Sequence, residues 1–184
     1  MSSSIWRQTG GIWPLSVPTS LTWYDIGAIA YIMNLSDIRT VVEIGVDQGG
    51  LSAFLLSYAR FNTQPNAYLG LDINPQLLSE RVAENSRAYD IIKRDVWRAE
   101  TVQEVAQFLH DHAAPALILC DGGDKPKELH LYAPLLRYGD VLLGHDYHNE
   151  YGDDALDTMP ATVQQVRRDW LDDTLLCMFV RREE

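Results

Sequence analysis

A glycine-bearing loop between a strand and a helix constrains the fold of this chain more than any other feature of its sequence. The largely apolar run over residues 40–44 predicts a buried strand, and the apolar run over residues 51–58 predicts a helix. Gly45, Gly49 and Gly50 lie between the two runs. A strand, a glycine loop and a helix in this order form a ligand pocket where the strand ends, at the edge of an α/β sheet.

The charge of the loop indicates which kind of ligand it faces. The glycine spacing differs from G-x-G-x-x-G, in which backbone amides at the start of a helix hold a pyrophosphate. Here the loop is opened by Glu43 and carries Asp47. Two carboxylates favour a ligand with positive charge, and S-adenosylmethionine, which has sulfonium and ammonium groups, is such a ligand.

Composition excludes several classes of protein. The 184 residues are enough for one domain with a sizeable core. The net charge of −11 argues against a nucleic-acid partner and against an anionic membrane, since both require basic clusters. No apolar stretch is long enough to span a bilayer, and residues 1–7 lack the basic and apolar regions of a signal peptide. Cys120 and Cys177 lie in apolar runs, as expected for buried free thiols, so a cytoplasmic location is predicted.

Strand and helix patterns alternate along the chain. Strands are predicted over residues 40–44, 67–72, 89–95, 115–120, 140–144 and 174–181. Helices are predicted over residues 21–35, 51–58, 76–86, 101–110, 125–136 and 159–171. This alternation predicts the α/β class, with a Rossmann-like, doubly wound and mostly parallel sheet that has helices on both faces. Within a single domain of residues 1–184, we expect an N-terminal arm and helix (1–37), a cofactor-binding core (38–148) and a C-terminal part with a substrate loop, a helix and a strand (149–184).

Acidic residues lie at or just after the ends of the first five predicted strands. They are Glu43, Asp72, Asp95, Asp121 and Asp146. Because parallel strands end at one edge of a sheet, these carboxylates are expected to surround one crevice, although each alone could also be a helix cap. Asp72, at the end of the second strand, is placed to accept both ribose hydroxyls of an adenosine ligand.

Four segments resemble the class I S-adenosylmethionine-dependent methyltransferases, and the resemblance extends over roughly residues 38–148. They are Val42-Glu43-Ile44-Gly45 with Gly49-Gly50, Gly70-Leu71-Asp72, Leu119-Cys120-Asp121-Gly122-Gly123, and Tyr132-Ala133-Pro134-Leu135-Leu136-Arg137 with Gly139-Asp140. The resemblance implies a seven-stranded sheet with an antiparallel C-terminal strand. It also implies S-adenosylmethionine as the cofactor, bound by Glu43, Gly45, Asp47, Gly49, Gly50, Asp72, Asp95, Val96 and Asp121. The family usually ends in an antiparallel hairpin, of which only residues 174–181 are evident here; a second strand is absent or hidden near residues 140–147.

Asp121, His145 and Asp146 follow the fourth and fifth strands and are predicted metal ligands. Here the chain is similar to metal-dependent small-molecule O-methyltransferases, which carry acidic residues or Asp-Asn at these positions. Asp and His can bind Mg²⁺ or another divalent cation. His145 stands where an Asp is usual, so the sequence leaves metal binding open.

Asp121, Asp124, Lys125 and His148 are the predicted catalytic residues, and His145 is a further candidate base. The resemblance implies a His or Lys three residues after Asp121, where this chain has Asp124 followed by Lys125. Lys125 can act as a base only if its pKa is lowered, whereas a histidine titrates near neutrality without such help.

The acceptor is predicted to be a small molecule, methylated at a hydroxyl oxygen, while N- and C-methylation stay open. Its pocket would come from the N-terminal arm, from the loop over residues 147–154 or from a second subunit, so a homodimer is left open; Trp13 and Trp23 are candidates for a lid. Two alternatives remain: a non-catalytic nucleoside-binding protein, or a different nucleotide-dependent α/β enzyme. An amino-methyltransferase acting on nucleic acid is disfavoured, because Asp121-Gly122-Gly123-Asp124 replaces the Asn/Asp-Pro-Pro-Tyr sequence of that class.

Overall fold

The computed structural model describes residues 11–12, 17–74, 82 and 90–182. Its strands are β1 (Gly11–Ile12), β2 (Pro18–Thr19), β3 (Thr40–Ile44), β4 (Ala67–Asp72), β5 (Asp90–Lys93), β6 (Ala116–Cys120), β7 (Val141–Gly144), β8 (Val163–Val166) and β9 (Cys177–Arg181). Its α-helices are α1 (Trp23–Leu35), α2 (Gly50–Asn62), α3 (Ala99–Asp111) and α4 (Lys125–Tyr132). The helix predicted over residues 76–86 lies outside the described residues except at position 82.

Seven strands form one mixed sheet in the order β5-β4-β3-β6-β7-β9-β8. The pairs from β5 to β7 are all parallel. Strand β9 runs antiparallel to β7, and β8 runs antiparallel to β9. The order reverses between β3 and β6, and a doubly wound sheet binds its ligands beside such a reversal. The predicted fold class, including the antiparallel C-terminal strand, is confirmed.

Helices cover both faces of the sheet. Successive strand residues point to opposite faces, so Val41 and Val42 belong to different hydrophobic clusters. Val41 packs in the cluster that contains α1 and α2 residues such as Ile29 and Leu55. Val42 packs in the cluster that contains α3 and α4 residues such as Leu129. Burial on both faces explains why these strands are nearly continuous apolar runs.

The predicted helix over residues 159–171 is wrong. That segment contains the edge strand β8 and a short 3₁₀ turn, Asp169–Leu171. Val163 and Val166 pair with β9, so tertiary pairing overrides the helical preference of the Gln and Arg residues in the segment. Strand β8 is also the second strand of the C-terminal hairpin, which the sequence left as either absent or hidden near residues 140–147.

Backbone hydrogen bonds continue the parallel ladder beyond the strand ends. They join Gly45 N to Leu71 O (2.9 Å), Asp121 N to Ile44 O (2.8 Å) and His145 N to Cys120 O (3.0 Å). The residues that follow β3, β6 and β7 are therefore held side by side along one edge of the sheet. Among the described residues, no helix is both long enough and apolar enough to cross a membrane.

Candidate active site

Two neighbouring cavities open along this edge of the sheet. The first, which we call the Asp72 cavity, has a volume of about 320 Å³ and is lined by Asp72, Asp95, Trp97 and Gly122, among others. The second, the Lys125 cavity, has a volume of about 240 Å³ and is lined by Thr19, Glu43, Lys125 and Asp146, among others. Three residues line both cavities: Gly45, Asp47 and Asp121. The five strand-end carboxylates therefore surround one continuous crevice, as predicted.

Gly45 allows the close approach on which this edge depends. Its φ of +84° lies in the left-handed region, which strongly favours glycine. A Cβ atom at this position would overlap the carbonyl oxygen of Asp121. The loop after β3 can therefore lie directly against the end of β6 only because residue 45 has no side chain.

Glu43 lies beneath the loop and is 1% exposed. Its Oε2 accepts a hydrogen bond from Ser52 Oγ (2.9 Å) and another from the hydroxyl of Tyr68. Gly70 pairs with Glu43 in the ladder and leaves room for that hydroxyl, because a Cβ there would lie 2.8 Å from it. Burial raises the pKa of Glu43 to about 8, although both hydrogen bonds oppose the shift.

Glu43 is therefore mostly neutral at pH 7. This corrects the interpretation of Glu43 as an ionised carboxylate that attracts a cationic ligand. Glu43 borders the Lys125 cavity, and its hydrogen bonds join β3 to α2 and β4.

Asp72 organises the glycine loop and borders the Asp72 cavity. Its Oδ2 accepts the backbone amides of Val46 and Asp47, both at 2.9 Å, and its Oδ1 accepts the amide of Asn74 at 2.6 Å. A carboxylate offers about four acceptor positions, so capacity remains for a ligand hydroxyl. Asp72 thus fixes the loop and faces the ligand space at the same time.

The far side of the Asp72 cavity is formed by the turn after β5. Asp95 and Val96 line the cavity there, at the predicted position, and Trp97 lines it beside them. The turn is held by Asp95, whose Oδ1 accepts the amide of Trp97 (3.1 Å), and by Tyr132, whose hydroxyl donates to Val96 O (2.8 Å). Lys127 Nζ lies over the Trp97 ring, 4.3 Å from its centroid, so the indole is held at this wall of the cavity beside the apolar side chain of Val96.

His145 is almost completely buried between two carboxylates. Its Nδ1 lies 2.9 Å from Asp121 Oδ1, and its Nε2 lies 3.6 Å from Asp25 Oδ2. Burial alone would lower the pKa of His145, but the interactions with Asp121 and Asp25 outweigh it and raise the pKa to about 10. His145 is therefore an imidazolium at neutral pH and cannot act as the base that the sequence suggested.

Lys125 is also a buried cation. Its Nζ lies 2.8 Å from Asp146 Oδ2 and 2.9 Å from Glu150 Oε2. Although burial lowers the pKa of Lys125, Asp146 and Glu150 outweigh this effect and raise it above its ordinary value. The hypothesis that Lys125 is a general base is wrong, because a base needs a lowered pKa and a populated free amine.

The predicted metal ligands do come together: one ligand atom from each of Asp121, His145 and Asp146 lies within 4.8 Å of the others. Their arrangement nevertheless does not fit a divalent cation. His145 would have to release Asp121, because its Nδ1 is already hydrogen-bonded to Asp121 Oδ1. Lys125 would have to leave Asp146, whose Oδ2 it already contacts.

Two predicted catalytic residues point away from the crevice. Asp124 is exposed and caps α4 by accepting the amide of Lys127 at 3.2 Å. His148 stacks on the ring of Tyr147, with centroids 3.7 Å apart, and borders a different, shallow cavity next to Arg167. Neither side chain lines the Asp72 cavity or the Lys125 cavity, so the structure does not favour either as the base.

The proposed lid residues receive little support. Trp13 lies outside the described residues, and Trp23, at the start of α1, lines neither cavity. The N-terminal arm contributes Thr19, Ser20 and Leu21 to the Lys125 cavity instead. Of the two glycines predicted to bind the cofactor at the start of α2, Gly50 lines the Lys125 cavity, whereas Gly49 lines neither cavity and is the N-cap of α2.

Sequence reasoning missed Asp25 and Glu128. Asp25 is fully buried; it closes a capping box with Thr22, and its Oδ1 accepts the amide of Leu175 at 2.7 Å. The Thr-x-x-Asp pattern could have revealed the cap, but not the contact with His145.

Glu128 is buried beside the Asp72 cavity and accepts the amide of Gly122 at 3.1 Å. Burial raises the pKa of Glu128 to about 7 against the lowering effect of nearby amides, and no local pattern predicts this.

The strand order and the crevice together define a class I methyltransferase fold. No protein-family model and no curated protein matches the chain. Among solved structures, CmcI in its apo form aligns with a TM-score of 0.73 and 15% identity, over 94% of this chain and 76% of CmcI. CmcI with Mg and S-adenosylmethionine aligns with a TM-score of 0.65 and 16% identity, over 90% of this chain and 75% of that one. A Klebsiella pneumoniae protein assigned as an O-methyltransferase aligns with a TM-score of 0.59 and 16% identity, over 91% of this chain and 84% of that one. The resemblance found in the sequence is thereby confirmed at the level of the fold.

Proposed function

We propose that this protein transfers a methyl group from S-adenosylmethionine to a hydroxyl oxygen of a small molecule. The observation that carries the proposal is the position of Asp121, which lines both the Asp72 cavity and the Lys125 cavity. One cavity has the features of a nucleoside site, and the other is polar and ends at ionisable side chains. A carboxylate at their junction is where a donor and an acceptor would meet.

The Asp72 cavity suits the adenosine part of the cofactor. Asp72 retains acceptor capacity for one ribose hydroxyl, and Val96 and Trp97 line the wall where the base would lie. Together the two cavities fall in the range of about 300–1,000 Å³ that small-molecule sites occupy. Likeness to proteins crystallised with S-adenosylmethionine supports the same choice of ligand.

The charges around the crevice suit the cationic part of the cofactor. Four carboxylates and two cations are joined there by ion pairs: Asp25, Asp121, Asp146 and Glu150 with His145 and Lys125. Four negative and two positive charges leave an excess of two negative charges. S-adenosylmethionine carries a sulfonium, an ammonium and a carboxylate, a net charge of +1, and would offset part of that excess.

Asp121 is the base that the geometry favours. Burial raises its pKa, and the His145 interaction, which lowers it, is the smaller effect. When bound, S-adenosylmethionine supplies an electrophilic methyl group. Asp121 would take the hydroxyl proton of the acceptor, and the bound cofactor would supply the methyl group to the acceptor oxygen and keep the C–S electron pair on sulfur. The products are a methyl ether, S-adenosylhomocysteine and protonated Asp121.

The strength of this base indicates the kind of hydroxyl. A carboxylate is a better match for a phenol, with a pKa of about 10, than for an alkyl alcohol, whose pKa is several units higher. We therefore propose an acceptor with an acidic hydroxyl of the phenolic or enolic type.

Calorimetry with S-adenosylhomocysteine and S-adenosylmethionine tests the cofactor, with NAD as the competitor class. We expect one molecule of either methionine-derived ligand to bind per chain and NAD not to bind. Binding of NAD alone, or of none of the three, would contradict the proposal. A panel of phenols, alkyl alcohols and amines, analysed by mass spectrometry for addition of one methyl group, then tests the acceptor class. Binding without transfer to any member would favour a non-catalytic nucleoside-binding protein.

A further inference from the structure

We propose that the ammonium group of Lys125, rather than a divalent cation, is the positive charge that meets the acceptor oxygen in the Lys125 cavity. The role toward the acceptor rests on the proposed function. The statement about the metal does not, because it concerns side chains that are already in place.

Lys125 is positioned as a fixed donor. It is the first residue of α4, its side chain is 8% exposed, and it borders the Lys125 cavity. An ammonium has three N–H donors. Asp146 and Glu150 are its two partners among the described residues, at 2.8 and 2.9 Å. The remaining donor is available to an oxygen in the cavity.

The ion pairs occupy the carboxylate oxygens that a metal would need as ligands. Asp121 Oδ1 is bonded to His145 Nδ1, and Asp146 Oδ2 is paired with Lys125. A divalent cation on these oxygens would lie close to the ammonium group of Lys125, and like charges repel. Lys125 therefore supplies, from within the chain, the positive charge that a metal would otherwise bring to this place.

The ammonium group of Lys125 could stabilise negative charge on the acceptor oxygen in the Lys125 cavity. Negative charge develops on the acceptor oxygen as Asp121 removes its proton, and a fixed N–H donor in a site of low dielectric stabilises such charge effectively. Lysine carries a compact charge on a flexible stem, whereas the fork of arginine is broader. Since Asp121 and Lys125 line the same cavity, one oxygen can face both groups.

Metal binding can be measured with Mn²⁺ as the probe, through the loss of its free electron paramagnetic resonance signal. We expect the wild-type chain to leave that signal unchanged up to about 1 mM Mn²⁺. Lys127→Met, which removes an exposed lysine two positions away, should behave in the same way. A wild-type Mn²⁺ site that disappears in Asp146→Asn would overturn the proposal.

The role toward the acceptor is tested with whichever acceptor turns over. Chelation with EDTA should leave the rate unchanged. Lys125→Met should lower kcat by at least about 100-fold, with the Kd for S-adenosylhomocysteine within about threefold of wild type, and Lys125→Arg should recover part of the rate. A Lys125→Met variant with wild-type kcat, or a rate abolished by EDTA and restored by Mg²⁺, would reject it. Failure to bind S-adenosylhomocysteine would instead refute the proposed function, and the Mn²⁺ result would still decide the question of the metal.

Discussion

Replacing Glu43 with glutamine should remove a large part of the pH dependence of folding. Glu43 is completely buried, and its pKa rises from 4.5 to about 8 on folding because burial disfavours the charged form. Between these two values the folded state holds a proton that the unfolded state has lost. The free energy of unfolding must therefore fall as the pH rises through this window, and the stabilisation is complete only below 4.5.

The magnitude follows from the size of the shift. A rise from 4.5 to about 8 is roughly three and a half units, and each unit corresponds to about 1.4 kcal/mol, so the effect is about 5 kcal/mol at the alkaline end. Glu43→Gln keeps the shape and an acceptor oxygen for Ser52 and Tyr68 but cannot ionise. The variant should lack this slope.

Urea unfolding followed by tryptophan fluorescence, from about pH 5 to about pH 8.5, measures the effect. The informative quantity is the difference between wild type and variant at each pH, because the other ionisable groups contribute equally to both. Glu100→Gln, an exposed residue at the start of α3, is the matched control and should run parallel to wild type. If Glu43→Gln also runs parallel to wild type, the argument from burial is wrong.

Three further substitutions test the site and its support. Gly45→Ala should weaken S-adenosylhomocysteine binding at least tenfold and destabilise the fold by about 2 kcal/mol or more, because its Cβ meets backbone at a positive φ. Gly27→Ala, at an exposed position of α1 where a Cβ meets nothing within 4 Å, should do neither, and equal effects of the two substitutions would reject the close-approach argument. Asp72→Ala should weaken that binding by about 1.5–3 kcal/mol, as expected for a charge-assisted bond, whereas exposed Asp157→Ala should not; unchanged affinity would remove the ribose role. Asp140→Ala should lower the free energy of unfolding by about 3–5 kcal/mol, because this buried carboxylate accepts two backbone amides and pairs with the guanidinium of Arg137. A loss under 1 kcal/mol in urea unfolding would contradict a structural role for Asp140.

The parallel strands of the sheet could be predicted from the sequence because each one is specified by a short pattern of neighbouring residues. The bounds of β3 and β4 were predicted without error, since buried parallel strands are short apolar runs closed by acidic or glycine residues. The gathering of carboxylates followed from topology alone. Strand β8 could not be predicted, because its four residues become a strand only by pairing with β9 at the sheet edge.

The electrostatic state of the site could not be predicted from local patterns. Lys125 reads as a lysine at a helix start, and only folding brings Glu150, 25 positions away, to its side. His145 reads as a candidate ligand or base until two buried acids are placed around it. Sequence reasoning identified which side chains lie at the rim, but their charges depend on neighbours that are distant along the chain.

The contacts of Asp25 have a consequence for engineering. One carboxylate caps the first long helix, anchors the segment that leads into the last strand and faces the imidazolium at the rim. A graft that replaced residues 17–35 with the corresponding piece of another scaffold would therefore remove a carboxylate beside that imidazole and, at the same time, change Thr19, Ser20 and Leu21 in the wall of the Lys125 cavity. Anyone who wishes to alter acceptor choice should exchange the opening helix, Leu175 and His145 as one set.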